Sequence, residues 1–207
     1  MATNEHEWTR IRHLFSFVFI RVHSWLVIVL CILFISCATA EVMDRIAVAV
    51  GNRAIKESQI DREIRLTAFE NGTALDLSAA SKRKAADRLI DQTFIRAEMA
   101  KVSYPAPSDA EINSVLDRIK QARFHNSAEF DQALKTYAIT APELKSHIAW
   151  QIQVLRFADL HFEPVVRKQA VANVKQPLGD RVNVAFFAWL DESRKNSRIQ
   201  FHEEVFR

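Results

Sequence analysis

Between Glu57 and Phe162 the apolar residues recur at helical spacing, and each run is bounded by residues that start or stop a helix. Ile60, Ile64, Leu66 and Phe69 form the first run, broken by Glu70-Asn71-Gly72-Thr73. The second starts near Ser78 and extends to about Ser103. There Ala86, Leu89, Ile90, Thr93, Phe94 and Ala97 follow the i, i+3, i+4, i+7 rule of one buried face. Pro105 and Pro107 end it, because proline supplies no N–H and clashes with the preceding turn. Ser108 and Glu111 have the spacing of a capping box, and Ile112, Val115, Leu116 and Ile119 line the face that follows. A short helix is expected from Ser127 through Phe130 and Leu134 to Tyr137. Thr140, Pro142 and Glu143 then open a long one, with Thr140 as cap and Pro142 in the first turn, where its missing N–H costs nothing. Pro164 is expected to end it near Phe162. This succession predicts a mostly α fold.

The long helix carries two apolar stripes. Leu144, Ile148, Ile152 and Leu155 make one; Trp150, Val154 and Phe157 make the other, nearly opposite. Such a helix is sandwiched between other elements, unless one stripe lines a groove for apolar peptide segments. Residues 164–180 read as a linker, and residues 181–207 as a last helix, with Val182, Phe186, Trp189 and Leu190 on one side, followed by a strand at Ile199-Gln200-Phe201. Ile46 to Val50, stopped by Gly51-Asn52, reads as another strand, with Ala54-Ile55 returning beside it. A lone hairpin is marginal and wants a third strand. The two ends of the region from 41 onward are therefore expected to meet in one small sheet.

Residues 1–40 read differently. Arg10, Arg12 and Arg21 precede the apolar run Trp25 to Ile35, and Ala38-Thr39-Ala40 stands just before Glu41. A basic lead, a short apolar core and a small-x-small ending describe a secretory signal peptide, with Ala38 and Ala40 as the cleavage-site residues. The run is about 11 residues, whereas a spanning helix needs roughly 20. Three outcomes are open: cleavage after Ala40, retention as a membrane anchor, and lipidation at Cys37. Either way the chain is expected outside the cytoplasm, in a periplasm, with membrane contact only through the leader. Both cysteines, Cys31 and Cys37, lie in this segment, so residues 41–207 can form no disulfide and offer no thiol nucleophile.

The charge balance excludes other roles. The 28 Lys and Arg against 25 Asp and Glu leave +3, and the signs are interspersed. No basic stripe for nucleic acid is built. There is no phosphate loop, no His-Glu-x-x-His and no Gly-x-Ser-x-Gly. On a shared helix His147 and His161 would stand about 21 Å apart, too far to share a metal. Ser58 and Ser108 read as helix-start residues. Asp191-Glu192 and Glu203-Glu204 read as solvated surface. No catalytic set, metal site or cofactor is expected.

The order of elements resembles a known family. Asp44-Arg45-Ile46-Ala47-Val48-Ala49-Val50-Gly51-Asn52, with Ile55 and Ser58-Gln59-Ile60-Asp61, is similar to the start of the N-terminal domain of the SurA-type periplasmic chaperones. Leu89-Ile90-Asp91-Gln92, Ser108-Asp109-Ala110-Glu111-Ile112 and the helix start at Ile139-Thr140 continue the likeness, which returns at Arg198-Ile199-Gln200-Phe201. The resemblance implies that residues 41–163 and 181–207 form one chaperone module that holds unfolded outer-membrane proteins. Relatives insert parvulin-type peptidyl-prolyl isomerase domains between those two parts. Here only the 164–180 linker stands at that point. The paired histidines and Gly-Gly turn of a parvulin domain are missing, the chain's three glycines being scattered. Isomerase activity is therefore not expected.

The expected partners are unfolded secreted or outer-membrane polypeptides. Candidate client contacts are Trp150, Val154, Phe157 and Phe162, with Phe186, Phe187 and Trp189 as a second cluster; each could equally be core. A client strand could also add to an open sheet edge. The rival expectations are a degenerate or partner-completed isomerase and an envelope adaptor for one folded partner. A homodimer that swaps its last helix and strand is a further arrangement the short linker would permit.

Overall fold

The computed structural model describes residues 44–168 and 176–207. The candidate cleavage residues Ala38 and Ala40, and Cys37, lie outside the described residues. The described chain is mostly helical, with one small antiparallel sheet.

The sheet is built from both ends of the described chain. β1 (Ile46–Val50) turns at Gly51, whose φ of +58° favours glycine, into β2 (Arg53–Lys56). β3 (Ile199–Phe201) lies on the other side of β1, giving the order β2-β1-β3. Val48 stands opposite Ile55 on one side and Phe201 on the other. Only the central strand is well buried, through Ala47, Val48 and Val50. A one-turn 3₁₀ helix, Glu203–Phe206, follows β3 and drives Val205 and Phe206 into the same core.

Six helices join these strands in the described chain. α1 (Glu57–Asn71) follows β2 without a loop, its first turn held by the Asp44 carboxylate, which accepts the Ser58 N–H at 3.1 Å. It stops at Gly72, φ +63°, where Thr73 N–H reaches back to the Ala68 carbonyl at 3.1 Å. The Arg123 guanidinium adds donors to the carbonyls of Phe69, which also accepts the Gly72 N–H, and of Glu70 at the helix end. α2 (Ala79–Met99) is capped by Ser78 and ends four residues before the expected Ser103. α3 (Asp109–Arg123) opens on the Ser108–Glu111 capping box, and α4 (Ser127–Thr136) on Asn126. α5 (Ala141–Lys168) opens on the reciprocal Thr140–Glu143 pair, and α6 (Leu178–Lys195) leads to β3.

Two further boundaries differ from expectation. α5 does not end at Pro164 but runs to Lys168, and α6 begins at Leu178 rather than Arg181. The lost hydrogen bond and the ring clash of an interior proline cost about 3 kcal/mol. Val166, buried against α6, and the Arg181 guanidinium, which donates to the Val166 carbonyl at 2.7 Å, reward the extra turn.

Three core clusters account for the burial. The sheet packs on the first halves of α1 and α2. The end of α1 packs with α3, α4 and the first half of α5, around Phe69 and Leu144. The end of α2 packs with the second half of α5 and with α6, around Phe157. The two stripes of α5 thus serve two cores: Leu144, Ile148 and Ile152 in one, Trp150, Val154 and Phe157 in the other. Leu155 is the exception, as it is 67% exposed.

Candidate functional site

A groove of about 560 Å³ opens where α1, α2, α5 and α6 meet. That volume falls within the roughly 300–1,000 Å³ of small-ligand pockets. Trp150, Val154 and Leu155 of α5 and Phe187 and Leu190 of α6 form its apolar wall, with Ile95 of α2 at the base. Leu155 and Phe187, 67% and 61% exposed, are apolar side chains that the fold itself leaves in solvent.

The rest of the lining is polar, and its carboxylates are paired. Glu63, buried on α1, accepts from Arg88 Nε at 3.0 Å and from Gln92 Nε2 at 3.3 Å. Glu70 accepts from His147 Nε2 at 3.2 Å and from Gln151 Nε2 at 2.8 Å. Burial opposes protonation of His147, yet its hydrogen bond to Glu70 and the charges of Glu70 and Glu63 outweigh this and hold its pKa above the ordinary imidazole value. Asp91 takes Arg194 Nε at 2.6 Å, which also ties α6 to α2. These carboxylates are neutralised in place, which leaves the apolar wall as the part of the groove free to bind.

The candidate contacts divide on this geometry. Trp150 and Val154 line the groove half-buried, and Phe187 stands on its rim. Phe186 reaches the groove but is mostly buried. Phe157 and Phe162 are corrected to core: both are buried, with their ring centres 5.8 Å apart edge to face. Trp189, half-buried, packs on the same pair at 5.7 and 5.8 Å and does not line the groove. Sequence reasoning missed Leu155, which shares a helical stripe with buried residues, and the Glu70–His147 pair, which spans two helices far apart in the chain.

The remaining histidines have local partners: His161 Nδ1 lies 3.1 Å from the Tyr104 hydroxyl, and His125 Nδ1 3.0 Å from Glu129. Among the described residues no three His, Cys, Asp or Glu side chains gather as a metal site would need, and no helix is long and apolar enough to cross a membrane. No family model and no curated protein matches this chain.

Proposed function

We propose that this chain is a holdase-like chaperone module of the periplasm that binds apolar segments of unfolded secreted or outer-membrane proteins without isomerase chemistry. The observation that carries the reading is the groove's apolar wall, in which Leu155 and Phe187 stand exposed beside Trp150 and Val154. Burying a Leu or Phe side chain fully is worth about 1.5–3 kcal/mol. Two or three client side chains in such a groove would give weak, reversible binding once ordering costs are met, as a holdase requires. The leader-like residues 1–40 and the element order that resembles the SurA-type module support the same reading.

The segment between Lys168 and Leu178 is too short to hold a further domain, since domains start at roughly 50 residues. The reading therefore assigns binding alone to the module. The test is light scattering of a chemically unfolded outer-membrane β-barrel diluted into buffer. The full chain, isolated as the cell processes it, should slow aggregation. No effect at several-fold molar excess would overturn the proposal.

A further inference from the structure

Trp150 borders a second cavity, of about 350 Å³, bounded by α1, α2 and the start of α5. The two cavities share Glu63, Gln92, His147 and Trp150 in their walls, but the second has a different charge balance. Arg62 in its wall is held by Glu143, Nε to Oε1 at 3.2 Å. Glu63 is neutralised by Arg88, and His147 faces Glu70. Arg96 is left over: among the described residues no carboxylate lies within ion-pair distance of it and no hydrogen bond engages its side chain. Its guanidinium instead stacks on Trp150, with its central carbon 3.8 Å from the ring centre.

That posture is chemically specific. The indole holds the cation over its face, a contact that uses none of the donors in the guanidinium plane. The N–H donors lie in that plane, where two can meet a carboxylate side by side. Burial lowers the pKa of Arg96, against the opposing charge of Glu63, so the cation has lost part of its water without gaining an anion. Leu66, Leu89 and Pro142 give the same cavity an apolar wall beside the cation.

We propose that this cavity binds a carboxylate attached to an apolar body, with Arg96 taking the carboxylate and the Leu66–Leu89–Pro142 wall taking the body. The carboxylate can come from the C-terminus of a polypeptide or from a free organic acid. The site does not depend on the holdase reading of the neighbouring groove. If both hold, the last residues of a client have a place next to the groove that holds its side chains.

The experiment is calorimetric titration of the full chain with an N-acetylated apolar peptide ending in Phe, prepared with a free and with an amidated C-terminus. The free acid should bind about tenfold or more tightly, the scale of one charge-assisted pair. Arg96→Gln should abolish the difference, and Arg96→Lys should keep only part of it, since a point charge lacks the planar fork. Competition by 3-phenylpropionate would extend the site to free acids, and its failure would confine it to polypeptide ends. Equal binding of the two peptides by the wild-type protein, or no binding of either, overturns the proposal whatever the variants do. So does a preference that survives in a folded Arg96→Gln protein. Failure of the aggregation test with the free-acid preference intact would remove the holdase reading alone.

Discussion

His147 on α5 and Glu70 in the last turn of α1 meet at 3.2 Å along the polar wall of the groove. The imidazole is only 10% exposed, so the contact is made largely out of water. Its partner stands at the C-terminal end of a helix, where a negative side chain is otherwise unfavourable. A protonated His147 relieves that and pins α1 to α5.

This pair makes stability depend on pH, with a definite sign. The folded-state pKa of His147 lies above its unfolded value. The contribution is therefore full below about pH 6.5 and is lost as pH rises through the raised folded value. Glu70→Ala should destabilise the protein by about 1–3 kcal/mol at pH 6. The gap should narrow by pH 9 without closing, because Gln151 also donates to Glu70. Urea unfolding of both proteins across that range is the check, and a gap independent of pH would show that His147 carries no linked proton.

Binding and stability should separate between Phe187 and Phe157. Phe187→Ser, at an exposed position, should change stability by no more than about 0.5 kcal/mol while weakening suppression of client aggregation. Leu155→Ser should behave in the same way. Phe157→Ala opens a cavity at a fully buried site and should cost about 3–5 kcal/mol. If Phe187→Ser and Leu155→Ser both retain full holding activity, the groove is not where clients bind.

Gly72→Ala should destabilise the chain by about 1–2 kcal/mol. Its φ of +63° penalises any Cβ, and the added atom would sit 3.2 Å from the Arg123 guanidinium that serves the end of α1. Gly179→Ala, at a glycine with nothing within 4 Å of the added atom, is the control and should be neutral or mildly stabilising. Thermal melts of the two variants decide this.

Pro164→Ala should stabilise the protein, by about 1–3 kcal/mol, since α5 continues through that position. A fall in melting temperature would mean that the proline sets the path of the helix into its contact with α6.

Where local chemistry fixes an element, the sequence showed it plainly. The Ser108–Glu111 and Thr140–Glu143 boxes start the helices they were expected to start, and the Val48–Phe201 pairing follows from a strand at each end. Pro164 misled because local propensity is only one term, and the burial of Val166 against α6 outweighs it. The groove was half legible. Trp150, Val154 and Phe187 were singled out, but nothing in periodicity separates them from Phe157 and Phe162, whose burial depends on α6 packing across α5. Leu155 failed for the converse reason: its stripe outruns the core that covers the rest of it. The Arg88–Glu63 and His147–Glu70 pairs join separate helices and are set by tertiary structure alone.

The strand order has a consequence for synthesis. Val48 must pair with Phe201, a residue made about 150 positions later, and the core beneath it also needs Val205 and Phe206. At roughly 5–20 residues per second, the first strand waits on the order of 10–30 s for its second neighbour. During that interval no stretch of nascent chain can seal the first core. A chain built in this way can complete its first core only after its last strand has been made.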